Sequence, residues 1–526
     1  MTDHGAGGGQ DAQTFGVNPW LIAISVMLAT FMEVLDTAIA TVALPYIAGS
    51  LSASTDEATW VLTSYLVANA VILPASSWFS IKFGRKRFLM TCVLLFTAAS
   101  FFVGAAPTLA FILIARVVQG AGGGALQPLA QSILLESFPP ARRGAAMAFY
   151  AFGIVVAPVL GPTLGGWLTD SYSWRYAFYI NIPVGILATF MIGRFVNDPP
   201  YISKAKASPF DGLGFGLLAI WSGCLQIVLD KGQEDDWFGA PWIRWATLIL
   251  VISFIWFVVH CWRSKTPLVN LRVLKDRNFA VGCLLMFMLG AALYSTITVL
   301  PLFYQELLGY TAFAAGLVVG PRGIGSILGM PLIGYINDKM DARVLLSIGF
   351  IGFGICSIVF GNVNLAIGPW TLFWPIVITG MSMSFIFVPI TTQAYGTLSN
   401  EQIGNASGIF NLVRNIGGGI GISVAQTLIV RRAAFHQTEI SSSVPISSYW
   451  LQERMGDLTR YLGRYTYSSN AAGPARGEIY RQAVAQARLW AFVDIFRWTA
   501  VVAFLSVGVV WLFRKVKHGR GPAAAH

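Results

Sequence analysis

Three charged residues lie inside otherwise apolar stretches: Glu33 and Asp36 in Phe31-Met32-Glu33-Val34-Leu35-Asp36, and Arg116 in Ile114-Ala115-Arg116-Val117-Val118. A charge at the centre of a hydrocarbon-spanning helix costs on the order of 2.5–3.5 kcal/mol on insertion scales, so each needs a reason. Glu33 and Asp36 are three residues apart and share one helical face. Two carboxylates held in low dielectric are poorly solvated and repel each other, which makes a proton-exchange site. Arg116 is the natural counter-charge for Asp36. Two further arginines need accounting: Arg322, after Gly320-Pro321, and Arg414, in Asn411-Leu412-Val413-Arg414-Asn415. Either could attract an anionic substrate or pair with a carboxylate such as Glu306; hydrogen bonds to carbonyls of packed helices are the plainer reading.

The elements that must position these groups follow from composition. The chain has 526 residues, 55% hydrophobic and 11% charged, with mean hydropathy +0.65. Soluble domains carry roughly 25% charge. Apolar runs long enough to cross ~30 Å of hydrocarbon give about 14 spans, near 20–46, 59–80, 88–106, 108–135, 144–168, 176–196, 212–230, 242–262, 279–303, 312–335, 343–361, 370–396, 404–430 and 493–513. At 1.5 Å per residue, Asp36 lies ~15 Å below the outer end of the first span, and Arg116 ~13.5 Å below that of the fourth. The two therefore sit at one level and can pair.

Lysine and arginine cluster in alternate short loops: Lys82, Arg85, Lys86 and Arg87 after the second span, Arg142 and Arg143 after the fourth, Lys339 and Arg343 after the tenth. Loops after the first, third and eleventh spans have neither, which places both termini in the cytoplasm. The net charge of +11 is thus topology rather than a nucleic-acid surface. Residues 1–18 lack lysine and arginine and read as a disordered tail, not a signal peptide. The outer loop 431–492 resists the rule with eight arginines. Within it, 447–464 and 474–488 read as short amphipathic helices. The cysteines, Cys92, Cys224, Cys261, Cys283 and Cys356, fall in apolar runs without metal-ligand spacing and read as packing residues. No nucleotide-binding loop and no catalytic or metal pattern marks an ATP-driven pump or an enzyme.

Two loops repeat each other, Ser77-Trp78-Phe79-Ser80-Ile81-Lys82-Phe83-Gly84-Arg85-Lys86 and Gly334-Tyr335-Ile336-Asn337-Asp338-Lys339. Each follows the second helix of a six-helix half if spans seven and eight are an inserted pair, and such halves flank a central site. These loops resemble the signature G-x-x-x-D-[RK]-x-G-[RK]-[RK] of the major facilitator superfamily. The first copy has Ser77 and Ile81 where the signature has Gly and Asp, which puts its usual gating salt bridge in doubt. Leu35-Asp36-Thr37 through Leu44-Pro45, Arg116-Val117-Val118-Gln119-Gly120, Trp174-Arg175 and Asn181-Ile182-Pro183-Val184-Gly185 add to the match. So does the antiporter motif Gly153 through Gly166, with Pro158, Gly161, Pro162 and Gly165. From about residue 19 to 515 the chain resembles the 14-span drug:proton antiporters of the EmrB/QacA subfamily.

The resemblance implies an all-α major facilitator fold. Its parts would be a cytoplasmic tail (1–18), a six-helix bundle (19–196), a linker with an inserted two-helix hairpin (197–277), a second bundle (278–515) carrying the periplasmic loop 431–492, and a final tail (516–526). It further implies proton-driven export of hydrophobic or amphiphilic toxic compounds across a bacterial inner membrane, without a cofactor. A periplasmic adaptor and an outer-membrane channel would be partners. Asp36, Glu33 and Arg116 would couple protons, and Gly84, Arg85, Asp338 and Lys339 would gate. Gly161 and Gly165 allow close helix approach, and Pro158 and Pro162 bend the span. Candidates for the substrate cavity are Arg414, Arg322, Asn411, Gln119, Met286, Tyr294, Met381 and Phe385, since polarisable and aromatic side chains suit a promiscuous apolar site. A symporter or uniporter for a metabolite, or a receptor or adaptor that does not transport, are the competing readings.

Overall fold

The computed structural model describes residues 18–139, 142–199, 209–337, 339–368, 370–443, 448–463 and 472–514. Fourteen helices are long and apolar enough to cross a membrane, as the apolar runs predict, and no strand occurs among the described residues. They are α1 (Pro19–Ser50), α2 (Glu57–Phe83), α3 (Arg85–Ala105), α4 (Leu109–Ser137), α5 (Arg143–Ser171), α6 (Tyr176–Phe195) and α7 (Gly212–Lys231). After them come α8 (Pro241–Arg263), α9 (Arg277–Glu306), α10 (Phe313–Ile336), α11 (Ala342–Phe360), α12 (Phe373–Tyr395), α13 (Glu401–Ser443) and α14 (Ala472–Val510). Capping side chains start many of them. Ser54 and Glu57 form a reciprocal capping box before α2, and Asn18, Thr108, Asp211, Asp276 and Asp341 each accept a first-turn N–H.

An even number of antiparallel spans brings both chain ends to one side of the bundle, here the terminal side. Arg277 and Asn278 at the start of α9 donate to the carbonyls of Leu512 and Arg514 just past α14, as that topology requires. Helices α1 to α6 pack on one another, α5 against α1 and α4 against α2 and α3. Helices α9 to α14 do the same, with α9 against α13 and α10 against α12. The two groups meet where α5 lies along α10 and α12, and where α13 lies along α2 and α4. The α7–α8 hairpin rests mainly on α2, and α8 exposes most of its apolar surface, including Trp245 and Trp256.

Three spans are interrupted, which the apolar runs do not predict, and in α6 the break falls at Ile180 between Tyr176–Tyr179 and Asn181–Phe195. α4 breaks at Gly124 and Ala125 between Leu109–Gly123 and Leu126–Ser137. α2 presses on it there: a Cβ on Gly120 would stand 2.3 Å from the Tyr65 carbonyl, and one on Gly124 2.5 Å from that of Asn69. α10 breaks at Gly320, ahead of Pro321, whose ring nitrogen has no hydrogen to continue the ladder.

The outer segment after α13 also differs from expectation. α13 does not stop near residue 430 but runs to Ser443, and the expected helix at 474–488 is the first part of α14. Pro474 falls in the first turn of α14, where its missing N–H costs nothing, so nothing separates 474–488 from the span. Only the helix Tyr449–Gly463 stands apart, close to the predicted 447–464. Asp494 of α14 accepts from Arg432 Nε at 2.6 Å and lies 2.9 Å from His436 Nε2, tying the two long helices together.

Candidate functional site

The buried polar chemistry is assembled around α1. Asp36 is 1% exposed, and its carboxylate is fully engaged. Its Oδ2 accepts from Arg116 Nη1 at 2.6 Å, and its Oδ1 from Gln119 Nε2 at 2.9 Å and Asn181 Nδ2 at 2.6 Å. Gln119 also donates to Ser100 Oγ at 2.8 Å. Arg116 donates Nε to the Val61 carbonyl at 2.9 Å, and its guanidinium lies 4.3 Å from the centre of the Tyr65 ring. This knot joins α1, α2, α3, α4 and α6. The depth-matched pair is therefore present, and Gln119 belongs to it. Asn181 and Ser100 lie outside the expected site residues; Asn181 opens the stretch Asn181-Ile182-Pro183-Val184-Gly185, and the one local signal of either is a polar residue inside an apolar run.

Glu33, one turn away, is held quite differently. Its Oε1 accepts from Tyr65 Oη and Asn69 Nδ2, both at 3.2 Å, and its Oε2 from Gln127 Nε2 at 2.6 Å. All three donors are neutral. The break in α4 makes room: a Cβ on Gly123 would come within 3.4 Å of Glu33 Cγ. The Gln127 side-chain Oε1 in turn accepts from Arg414 of α13. Tyr65 and Asn69, like Gln127 and Gln131, are four residues apart on one helical face, a spacing that could have flagged them.

Gln127 heads a row of bonds between the two groups of helices, on the terminal side. Asn411 Nδ2 and Tyr395 Oη donate to Gln131 Oε1 at 2.8 and 3.1 Å, and the Ser132 and Ser407 hydroxyls are 2.8 Å apart. Asn411 and Arg414 thus both sit at this seam.

The antiporter motif on α5 packs against α1 beside Asp36. A Cβ on Gly161 would lie 2.3 Å from that of Ala38, one on Gly165 3.2 Å from Ile39, and one on Gly153 would overlap Met27. Gly166 faces Phe313 of α10, and Pro162 lies beside Gly316, so the same helix meets both halves; Pro158 sits inside it. The glycine run of α13 meets its own half instead: Cβ atoms on Gly417 and Gly421 would strike the Phe287 and Ala291 carbonyls of α9.

Arg322 is 0% exposed, and none of its three guanidinium nitrogens has a hydrogen-bond partner among the described residues. Its carbonyl abuts Gly380 of α12. Met286 and Phe385 are buried in the core, Met381 packs against it, and the Tyr294 ring covers Gly418. No group of His, Cys, Asp or Glu among the described residues is placed to hold a metal ion.

In the first signature loop, Gly84 joins α2 to α3 with φ +83°, a conformation that favours glycine. Glu136 supplies Arg85 with a carboxylate at 2.8 Å, and Asp198 accepts from the Lys86 N–H at 2.7 Å. Two acids from elsewhere, Glu136 in the last turn of α4 and Asp198 after α6, therefore hold this turn, where Ile81 replaces the signature's own. Lys339 lies 3.3 Å from the centre of the Tyr335 ring; Asp338 is outside the described residues.

Known proteins share this architecture. The profile described as Major Facilitator Superfamily matches residues 26–422. The chain is 33% identical to "Multidrug export protein EmrB" of Haemophilus influenzae, covering 95% of this chain and 96% of that one. It is 34% identical to the protein of the same name in Escherichia coli K12, with 95% and 96% covered. It is 35% identical to "Fatty acid resistance protein FarB" of Neisseria gonorrhoeae, with 95% and 97% covered. Among solved structures, the human organic anion transporter MFSD10 (TETRAN) superposes with TM-score 0.57 at 12% identity, over 92% of this chain and 99% of that one. That last likeness is one of fold alone.

Proposed function

This chain belongs to the major facilitator superfamily of membrane transporters, and on that premise we propose that it is a proton-driven exporter of hydrophobic and amphiphilic toxic compounds. The observation that carries the reading is the pair of buried carboxylates on α1. Asp36 is neutralised by Arg116, whereas Glu33 is held by neutral donors only. A carboxylate buried without a cation in contact gains most from taking up a proton. Glu33 thus carries the exchangeable proton, and Asp36 with Arg116 keeps five spans in register beside it.

Export by alternating access needs the halves to rock. α5, which touches both α1 and α10 through small residues, is suited to the pivot. In this conformation the seam from Gln127 to Ser132 closes the terminal side. With both termini cytoplasmic, as the basic loops argue, that side faces the cell interior of a bacterial inner membrane. The names of the EmrB relatives support small toxic molecules as cargo. Arg322, Met286, Tyr294, Met381 and Phe385 are the residues we assign to its path, together with Arg414 and Asn411 once the seam parts. A periplasmic adaptor and an outer-membrane channel complete the proposed export route, with the outer ends of α13 and α14 as the docking element.

Purified protein in liposomes loaded with a pH-sensitive dye tests this reading. Addition of a drug is expected to move protons, and Asp36→Asn and Glu33→Gln are each expected to abolish the movement while the protein stays in the membrane. Drug transport without proton movement would favour a uniporter, and neither movement would favour a receptor. Unchanged transport by both variants would remove the carboxylates from the mechanism.

A further inference from the structure

Gln127 stands between two buried charges on different halves of the molecule. Its amide nitrogen donates to Glu33 Oε2 of α1 at 2.6 Å, and its amide oxygen accepts from Arg414 of α13. Glu33, Gln127 and Arg414 are 4%, 7% and 2% exposed, so water does not compete for these bonds. The end-to-end polarity of the amide is dictated by its neighbours. A carboxylate only accepts and a guanidinium only donates, so the N–H₂ must face Glu33 and the C=O must face Arg414.

Protonation of Glu33 reverses one of those demands. Its Oε1 already accepts two hydrogen bonds, from Tyr65 and Asn69, whereas Oε2 accepts one, so the proton settles on Oε2. That oxygen then donates toward Gln127, where an N–H₂ group already points. The amide answers by turning over, which offers its C=O to Glu33 and its N–H₂ to Arg414. Arginine has no acceptor, so the bond across the seam is lost.

We propose that Gln127 is a proton-reading relay: uptake of a proton by Glu33 turns its side-chain amide over and releases Arg414, unlocking the first rung of the seam between the halves. This rests on the proton-exchange reading given above and adds how the proton reaches the opposite half. The remaining rungs, Gln131 with Asn411 and Tyr395 and Ser132 with Ser407, contain no carboxylate and no imidazole, so the seam senses the proton only at its head. The other ionisable groups facing Glu33 are Asp36 on its own helix, Tyr65 of α2, Tyr150 of α5 and Arg414 of α13. Asp36 is already neutralised by Arg116, and Tyr150 donates to the Gln127 backbone carbonyl at 3.3 Å, which anchors the residue while its amide turns. Gln127 is a positioning residue, since it neither takes the proton nor touches cargo.

Hydrogen exchange of the full-length protein in lipid nanodiscs, followed by mass spectrometry over residues 126–137 and 401–414, tests the relay. Lowering the pH from about 8 to about 5 is expected to raise local opening of both segments about tenfold, after correction for the intrinsic rate. That is the factor carried by one hydrogen bond to a charged group. Glu33→Gln is expected to remove the pH step. Gln127→Met, which keeps length but has no amide, is expected to remove it as well and to leave the seam open at both pH values. If Gln127→Met fails to fold, Arg414→Met removes the far end of the relay and carries the same expectation. A pH step that survives Gln127→Met or Arg414→Met, or its absence from the unmodified protein, would overturn the relay. Dye-loaded liposomes separate this from the parent reading: proton movement that persists in Gln127→Met with its pH step intact sinks the relay alone. A pH step without any drug-driven proton movement sinks the transport reading and leaves the relay standing.

Discussion

The two halves of the molecule each bury an arginine completely, and they treat it in opposite ways. Arg116 of α4 is paired with Asp36, hydrogen-bonded to a backbone carbonyl, and stacked near Tyr65. Arg322 of α10 has no hydrogen-bond partner on any nitrogen among the described residues. A third, Arg414, stands between the extremes and reaches a carboxylate only through the Gln127 amide. Breaking one partner of a buried pair is costly, whereas an uncompensated charge is already carrying that cost. The first half is thus the finished scaffold, and the second keeps an unspent charge that a moving half or an arriving ligand can satisfy.

Four substitutions would break or sharpen that contrast, each read as the thermal midpoint of the purified protein. Arg116→Met strands the Asp36 carboxylate and is expected to cost about 3–5 kcal/mol. Arg322→Met is expected to act with the opposite sign, stabilising by about 1–4 kcal/mol, because it removes a buried charge that has nothing to lose. A lowered midpoint there would mean that Arg322 is compensated after all, and the contrast between the halves would fall. Asn181→Ala takes one of three donors from Asp36, for about 1.5–3 kcal/mol. Tyr65→Phe takes one neutral donor from Glu33 and is expected to cost about 0.5–1.5 kcal/mol, the smallest change. A larger loss from Tyr65→Phe than from Asn181→Ala would reverse the assigned roles of the two carboxylates.

The apolar runs make the fourteen spans legible, and helical rise alone sets Asp36 and Arg116 at one depth. The rest depends on which way a face points, and local sequence does not say. Gln127 and Gln131 look like any amide in an apolar run until the break at Gly124 turns them toward α13. The loop at Gly84 lacks its signature acid, and the acids that replace it, Glu136 and Asp198, come from 51 and 112 residues further along the contacting positions. The lack of a hydrogen-bond partner for the Arg322 guanidinium among the described residues is equally silent, since a missing partner leaves no mark on a sequence. The polar outer end of α13 resembles loop, and that of α14 resembles a separate short helix, because the pairing of Arg432 and His436 with Asp494 that joins them links residues 62 and 58 apart.

Those long helices have a mechanical consequence. From Ser407 at the seam to Ser443 at its outer end, α13 is one uninterrupted rod. At 1.5 Å per residue that arm measures about 54 Å, well beyond a hydrocarbon core of ~30 Å. A tilt of one degree at the seam therefore displaces the tip by about 1 Å, and α14, tied to it through Asp494, is carried along. A rearrangement too small to notice inside the bundle is amplified, by leverage alone, into a stroke that a protein seated on the outer tips would feel.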